Sequence, residues 1–197
     1  DSLDISIDGG NAAGTGYAEF DGNSSADVLI VDGVSYTFPV GDKTTFIVGD
    51  NTDGSALFST ACVYGGPSNT LDDCGNVNAG ITNGGAMAGA SYDFGTGFTA
   101  AVGYAGPEGG VMTEESMDAY GINAAYTGDN YGVSLTYGVL ETSTTDEDTF
   151  TALNGYYTPE GFPSISVGYE IGEDGSVTGS ADSLESLFVG LTWDEVG

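Results

Sequence analysis

Apolar and polar residues alternate along most of the chain with a period of two, which is the pattern of β-strands with two different faces. In "NYGVSLTYGVL" (130–140), tyrosine, valine and leucine share one parity, while glycine, serine and threonine share the other. One short helix is predicted within 53–61, where Asp53 or Ser55 can cap one or two turns. The pattern otherwise predicts an all-β protein.

The first half of the chain gives a less regular pattern than the second. Strands are predicted over 3–8, 15–20, 34–40 and 44–49. Residues 29–31 either begin the third of these strands or form a strand of their own. The region 50–84 is irregular, rich in glycine and asparagine, and contains both cysteines.

The second half repeats a hairpin of about 32 residues three times. The three copies are 90–106, 124–138 and 155–172, and 186–193 begins a fourth. The turn inside each hairpin is short, whereas the connections between hairpins are long and acidic: 106–118, 141–148 and 172–185. One end of the sheet is therefore predicted to carry tight turns and the other long anionic loops.

The two faces of these strands predict a membrane environment. The face opposite the apolar one is small and weakly polar, without the lysines and glutamates usual on a water-facing strand. Long strands, apolar-out and polar-in alternation and aromatic strand ends are together typical of outer-membrane barrels. The fold class predicted is all-β, an antiparallel up-and-down transmembrane β-barrel or a large part of one. A water-soluble β-sandwich is the alternative.

This arrangement assigns residues to two groups. The lumen-facing residues are predicted to be Asn123, Ser134, Thr136, Asn154, Ser164 and Ser166. An aromatic girdle at the membrane interfaces is predicted to consist of Tyr92, Tyr104, Tyr126, Tyr131, Tyr137, Tyr157, Tyr169 and Trp193.

The charge of the chain limits the kinds of partner that it can bind. It has 30 acidic residues, one lysine (Lys43), no arginine and no histidine, for a formal net charge of −29. Nucleic-acid binding is excluded because it requires Lys and Arg against the phosphates. Catalysis by histidine is impossible, and carboxylates this numerous single out no glycosidase pair. We therefore expect no enzymatic activity, and cations as the favoured ions.

Cys62 and Cys74 are expected to form a disulfide, with free thiols as the alternative. Metal binding by the pair is disfavoured because no histidine or further cysteine can complete a site. A disulfide indicates the periplasm, the cell surface or the exterior. Asp50 and Asp53 are weaker candidates for Ca²⁺ or Mg²⁺, since the spacing of 49–55 fits no EF-hand. No other cofactor or metal is predicted.

The chain begins without methionine and stops at "TWDEVG", so we expect a piece of something longer. Residues 1–197 are predicted to form a single barrel domain.

Several stretches resemble a known family. "ASYDFGTGFTAAVGYAG" (90–106), "YYTPEGFPSISVGYEIG" (156–172) and "SLFVGLTWDEVG" (186–197) are similar to the C-terminal barrel of cyanobacterial outer-membrane porins, the OprB-like, carbohydrate-selective group. The resemblance implies a passive, often trimeric diffusion channel for small hydrophilic solutes or ions in a bacterial outer membrane. The chain differs from the family in two ways. Family barrels have about sixteen strands, whereas ten or eleven are predicted here. Family lumens also carry basic residues, whereas this chain has one lysine and no arginine.

The missing arginines lead to a hypothesis about the pore. Either the basic side of the lumen lies in other strands, or the pore prefers cations. The 50–84 region is the candidate for a loop that folds inward and narrows the lumen. In that position its carboxylates would set a negative field in the lumen. These carboxylates are Asp50, Asp53, Asp72 and Asp73. The alternative function is a secreted or surface-displayed β-sandwich for adhesion or scaffolding, with calcium-binding acidic loops.

Overall fold

The computed structural model describes residues 1–8, 28–64, 74, 76, 79, 85–113, 116–176 and 183–193. These residues form one antiparallel sheet of ten strands, in which each strand pairs with the next along the chain. The strands are β1 (Ser2–Asp8), β2 (Ile30–Val40), β3 (Thr44–Asp50), β4 (Ala86–Asp93), β5 (Phe98–Gly106), β6 (Ala119–Thr127), β7 (Tyr131–Glu141), β8 (Glu147–Tyr157), β9 (Ser164–Glu173) and β10 (Ser183–Thr192). Among the described residues, a 3₁₀ turn covers Glu108–Gly110.

The all-β, up-and-down architecture predicted from the alternation is confirmed. Within the described residues β1 pairs with β2 and β10 with β9, so the sheet is open, as in part of a barrel. It makes one layer, and the described strands form no second sheet such as a sandwich requires. Residues 30 and 31 begin β2, which resolves the ambiguity there. The strand predicted over 15–20 lies outside the described residues.

The short helix predicted within 53–61 is wrong. Residues 54–57 form a turn, with the amide of Ala56 donating to the carbonyl of Asp53 (3.2 Å) and that of Phe58 to Ser55 (2.8 Å). The Asp53 side chain is bonded to the amide and hydroxyl of Ser55, which stabilises a turn rather than a longer helix.

The predicted asymmetry of the connections is present. Connections 41–43, 94–97, 128–130 and 158–163 lie at one end of the sheet, here called the tight-turn end. At the opposite, long-loop end the strands are joined by 51–85, 107–118, 142–146 and 174–182, as up-and-down pairing requires.

The apolar face of the sheet is exposed and the polar face is buried. Val133 and Leu135 on β7 are 44% and 50% exposed, whereas Ser134 and Thr136 between them are 1% exposed. The same alternation occurs on β6 and β9. We call the exposed side the outer face and the buried side the inner face. A water-soluble sheet has the reverse arrangement, because burial of the apolar face drives its folding.

Two small apolar clusters lie against the inner face. One contains Ile47, Met87, Ala105 and Ala119, and Leu57 and Phe58 of the β3–β4 connection pack against it. The other contains Ala79, Phe150 and Ala152. The core therefore sits between the sheet and the β3–β4 connection. No helix among the described residues has the length and apolar character needed to cross a membrane.

Tight turns at one end require specific glycines, which gives a first prediction. Gly97 has a φ of +84°, and a Cβ there would lie 2.5 Å from the Thr127 carbonyl oxygen of the next hairpin. Gly41 also has positive φ (+70°) but has nothing within 4 Å of that position. Gly41→Ala should cost about 1–2 kcal/mol of left-handed backbone strain. Gly97→Ala should cost more, because the turn must also move away from Thr127.

Thermal or urea unfolding of both variants measures the difference. Equal losses of stability in the two variants would contradict the packing of the β4–β5 turn on the β6–β7 turn.

Candidate functional site

Residues 59–63 of the β3–β4 connection (51–85) cross the inner face from β6 to β10, and residues 74 and 79 also contact it. The connection's backbone amides donate hydrogen bonds to polar side chains that the strands present at mid-height. Those side chains occupy alternate positions because strand residues two apart share a face. Serine, asparagine and glutamate side chains thus bind the connection on the face against which a sandwich would pack its second sheet.

The first attachment is made by Asn123 on β6. Its Oδ1 accepts the amide of Ser59 (2.9 Å), and its Nδ2 donates to the Ser59 carbonyl (3.2 Å). Nδ2 also donates to the hydroxyl of Thr136 on β7 (2.9 Å). One side chain therefore binds both backbone groups of Ser59, as a neighbouring strand would.

The connection then continues toward the other edge of the sheet. The amide of Ala61 donates to Ser134 Oγ on β7 (2.8 Å), and that of Val63 donates to Ser166 Oγ on β9 (3.0 Å). Thr192 on β10 donates its hydroxyl to the Val63 carbonyl (3.1 Å). The amides of residues 59, 61 and 63 therefore all face the sheet.

The returning part of the connection is attached by two further side chains. Asn154 on β8 donates Nδ2 to the Cys74 carbonyl (2.6 Å). Glu170 on β9, which is 2% exposed, accepts the amide of Ala79 on Oε2 (2.9 Å). The disulfide Cys62–Cys74 joins the outgoing and returning parts, which confirms that predicted pairing.

Glycines let the backbone of the connection approach the strands closely. A Cβ at Gly103 would overlap the Gly54 carbonyl, and a Cβ at Gly168 would overlap the Cys74 carbonyl. At Gly138 a Cβ would lie 3.1 Å from the Ala79 carbonyl oxygen. The small residues of the inner face are therefore explained by contact with a polypeptide segment lying on it.

All six residues predicted to face the lumen are buried on the inner face. Five of them take part in the contacts above or, for Thr136, accept the bond from Asn123. Ser164 lies near the tight-turn end, and its hydroxyl donates to Thr158 Oγ1 (3.0 Å). Their role in a pore stays a prediction, while their present contacts are with the β3–β4 connection.

The described residues include two of the four predicted constriction carboxylates, Asp50 and Asp53. Asp50 is the last residue of β3, exposed at the long-loop end beside a polar hollow of about 360 Å³. Asp53 is exposed, and its Oδ1 accepts the Ser55 amide (2.7 Å) and hydroxyl (2.6 Å). Asp72 and Asp73 lie outside the described residues.

The predicted aromatic girdle lies on the outer face in two rows. Tyr92, Tyr126, Tyr131, Tyr157 and Trp193 are placed toward the tight-turn end, and Tyr104, Tyr137 and Tyr169 toward the long-loop end. Six are exposed, while Tyr104 and Tyr126 are partly covered. The Tyr126 ring packs on Phe98 (centroids 4.6 Å apart) and on Tyr131 (5.5 Å). On β7 the two rows are six residues apart, about 20 Å along the strand.

Two features of this site were missed from the sequence. Glu170 shares its parity with Ser164 and Ser166, so a carboxylate within the strand, on its small polar face, was a visible signal. The amides of Ser59, Ala61 and Val63 carry no such signal, because every residue except proline has an amide N–H. Among the described residues no three or more His, Cys, Asp or Glu side chains are placed to hold a metal ion. Calcium at Asp50 and Asp53 stays a prediction.

Comparison of the chain with protein-family models, curated proteins and solved structures gives no match. The similarity to OprB-like porins thus rests on the sequence patterns alone.

The hydrogen bond from Ala61 to Ser134 provides a direct test of this arrangement. Ser134→Ala leaves a buried amide without its acceptor, which should cost about 1–3 kcal/mol. Amide hydrogen exchange at residue 61 should then accelerate by about tenfold or more, since 1.4 kcal/mol corresponds to a factor of ten.

Ser176→Ala is the matched control, because the hydroxyl of this exposed serine bonds Asp174 on a long loop (2.6 Å). Unchanged exchange at residue 61 in Ser134→Ala would show that the connection does not depend on this contact.

Proposed function

We propose that the chain forms wall strands of a bacterial outer-membrane porin, a passive and cation-preferring channel for small hydrophilic solutes or ions. The single observation that carries the proposal is the inversion of the sheet: its apolar face is exposed and its polar face is buried. An exposed apolar face of this kind is stable in contact with lipid. Only helices or closed barrels cross a lipid bilayer.

The composition of the outer face supports this environment. Valine, leucine, isoleucine and alanine occupy the middle of the strands, with tyrosines toward both borders. Amphipathic aromatic rings prefer the membrane–water interface. An exposed apolar surface of this extent on a water-soluble protein would promote aggregation.

The β3–β4 connection supports a channel with a narrowed lumen. It lies on the inner face at mid-height and is attached to β6, β7, β8, β9 and β10. A segment held there reduces the cross-section available to a solute. The net charge of −29 with a single lysine favours cations over anions near the proposed channel.

The outer face can be tested with a charge. Leu135→Arg places a cation near the middle of β7, where an arginine in a bilayer costs about 2–4 kcal/mol. We expect this variant to insert into lipid vesicles less efficiently than the unmodified chain. Insertion is measured by flotation with the vesicles and by the difference in gel mobility between heated and unheated samples.

Thr144→Arg adds the same charge to an exposed residue of the β7–β8 connection and serves as the control. Equal loss of insertion in the two variants would indicate a general effect of charge, and insertion of Leu135→Arg at the unmodified level would contradict a lipid-facing β7.

Channel activity is tested by recording single channels in planar bilayers across a salt gradient. We expect stepwise currents and a reversal potential of the sign that indicates cation selectivity. The variant Cys62→Ser with Cys74→Ser should show larger and noisier conductance, because the link that holds the two parts of the connection together contributes about 2–3 kcal/mol.

Reduction of the unmodified protein should reproduce the effect of the double variant, while Ser176→Ala should not. Anion selectivity would contradict the proposed lumen charge, and the absence of any conductance by inserted protein would contradict the channel itself.

A further inference from the structure

Asn154 on β8 has a buried side-chain oxygen that no hydrogen bond explains. The residue is 1% exposed on the inner face, and its Nδ2 donates to the Cys74 carbonyl (2.6 Å). Because a carbonyl can only accept, this bond fixes which end of the amide is the nitrogen. Oδ1 is therefore a buried acceptor, and it has no partner among the residues that the structure describes. Such an acceptor destabilises the fold unless a ligand or a water molecule satisfies it.

A buried carboxylate is placed next to this oxygen. The strand register pairs Asn154 with Gly168 and Ala152 with Glu170, so Asn154 and Glu170 are diagonal neighbours on the inner face. Such neighbours are about 7–8 Å apart, a gap that long side chains span. Glu170 is 2% exposed, and its Oε2 accepts the Ala79 amide (2.9 Å). The unpartnered oxygen of Asn154 thus lies beside a buried negative charge.

A backbone oxygen of the connection lies at the same place. Gly168 has no side chain, and a Cβ there would overlap the Cys74 carbonyl oxygen and lie 2.7 Å from Asn154 Nδ2. A carbonyl oxygen has two lone pairs, of which the bond from Asn154 uses one. Amide, carboxylate and carbonyl oxygens are the ligands that hard cations take in proteins. All three kinds are therefore present on neighbouring positions of β8, β9 and the connection.

The charge of these groups favours a monovalent cation over a water molecule. A buried carboxylate is stabilised by a charge of opposite sign, which water lacks. The one lysine, Lys43, lies at the tight-turn end and donates to the Phe94 carbonyl (3.3 Å), so a cation at this position comes from solution. One carboxylate balances one positive charge. Calcium sites combine more acidic ligands, and the described part of the chain places no three acidic, histidine or cysteine side chains together for a metal ion.

We propose that one monovalent cation, K⁺ or Na⁺, binds between β8 and β9 beneath the returning part of the connection. Its ligands from the chain are Asn154 Oδ1, the Glu170 carboxylate and the Cys74 carbonyl. The bound ion links the returning part of the connection to the sheet. This inference goes beyond the proposed channel and does not depend on it, because the ion is held in place rather than transported.

Equilibrium dialysis of the detergent-purified protein against radioactive Rb⁺ tests the site, with N-methyl-D-glucamine chloride keeping the ionic strength constant. We expect one Rb⁺ to be bound per chain. Glu170→Gln keeps an oxygen for the Ala79 amide but removes the charge, and it should lower the affinity for Rb⁺ about tenfold or more. Glu173→Gln removes the same charge from an exposed position of the same strand and should leave the affinity unchanged.

A second measurement needs no variant and so does not depend on the folding of Glu170→Gln. Crystals of the unmodified protein grown in RbCl should give an anomalous diffraction peak within coordination distance of Asn154 Oδ1 and the Glu170 carboxylate.

The contrary outcomes are distinct from those for the channel. No Rb⁺ bound by the unmodified protein, or equal affinities in Glu170→Gln and Glu173→Gln, would overturn the cation site and assign Asn154 Oδ1 to a water molecule. An anomalous peak found only elsewhere would do the same. A lack of channel currents would contradict the proposed function alone, since neither the dialysis nor the diffraction measurement depends on conduction.

Discussion

Hydrogen bonding between the amides of the β3–β4 connection and the polar inner face is the interaction on which the rest of the structure depends. A buried amide without an acceptor costs about 1–3 kcal/mol. Acceptors for the amides of residues 59, 61, 63 and 79 are supplied by Asn123, Ser134, Ser166 and Glu170. These bonds bury the polar face under a polypeptide segment and require glycine where the two backbones meet. With the connection absent, the same side chains would need water as their partner.

The exposed apolar face is the counterpart of this arrangement. In a strand every second residue faces the same side, so a sheet that directs its serines and asparagines inward must direct valines, leucines and tyrosines outward. The outer face is then stable in a solvent as apolar as itself.

The sequence predicted the parts of the fold that depend on periodicity. Strand positions, the hairpin repeat and the two kinds of connection result from alternation and from the spacing of glycine and acidic clusters. The disulfide was predictable because the chain of 197 residues has only two cysteines. The helix predicted within 53–61 failed because Asp53 stabilises a turn, and an aspartate caps a helix or closes a turn depending on the path of the backbone after it. Glu170 was overlooked, although its parity placed it on the inner face.

Taken alone, the sequence determined the class of the protein: an antiparallel sheet with one apolar and one small polar face, strong negative charge in the connections, and no histidine or arginine chemistry. Only the tertiary structure decided that the polar face is buried and which backbone groups of the β3–β4 connection bind it. Alternation assigns residues to faces, but it does not say which face meets the rest of the chain. That depends on where the β3–β4 connection lies, and its attachment uses backbone amides, which every residue but proline possesses and which no sequence pattern can therefore mark.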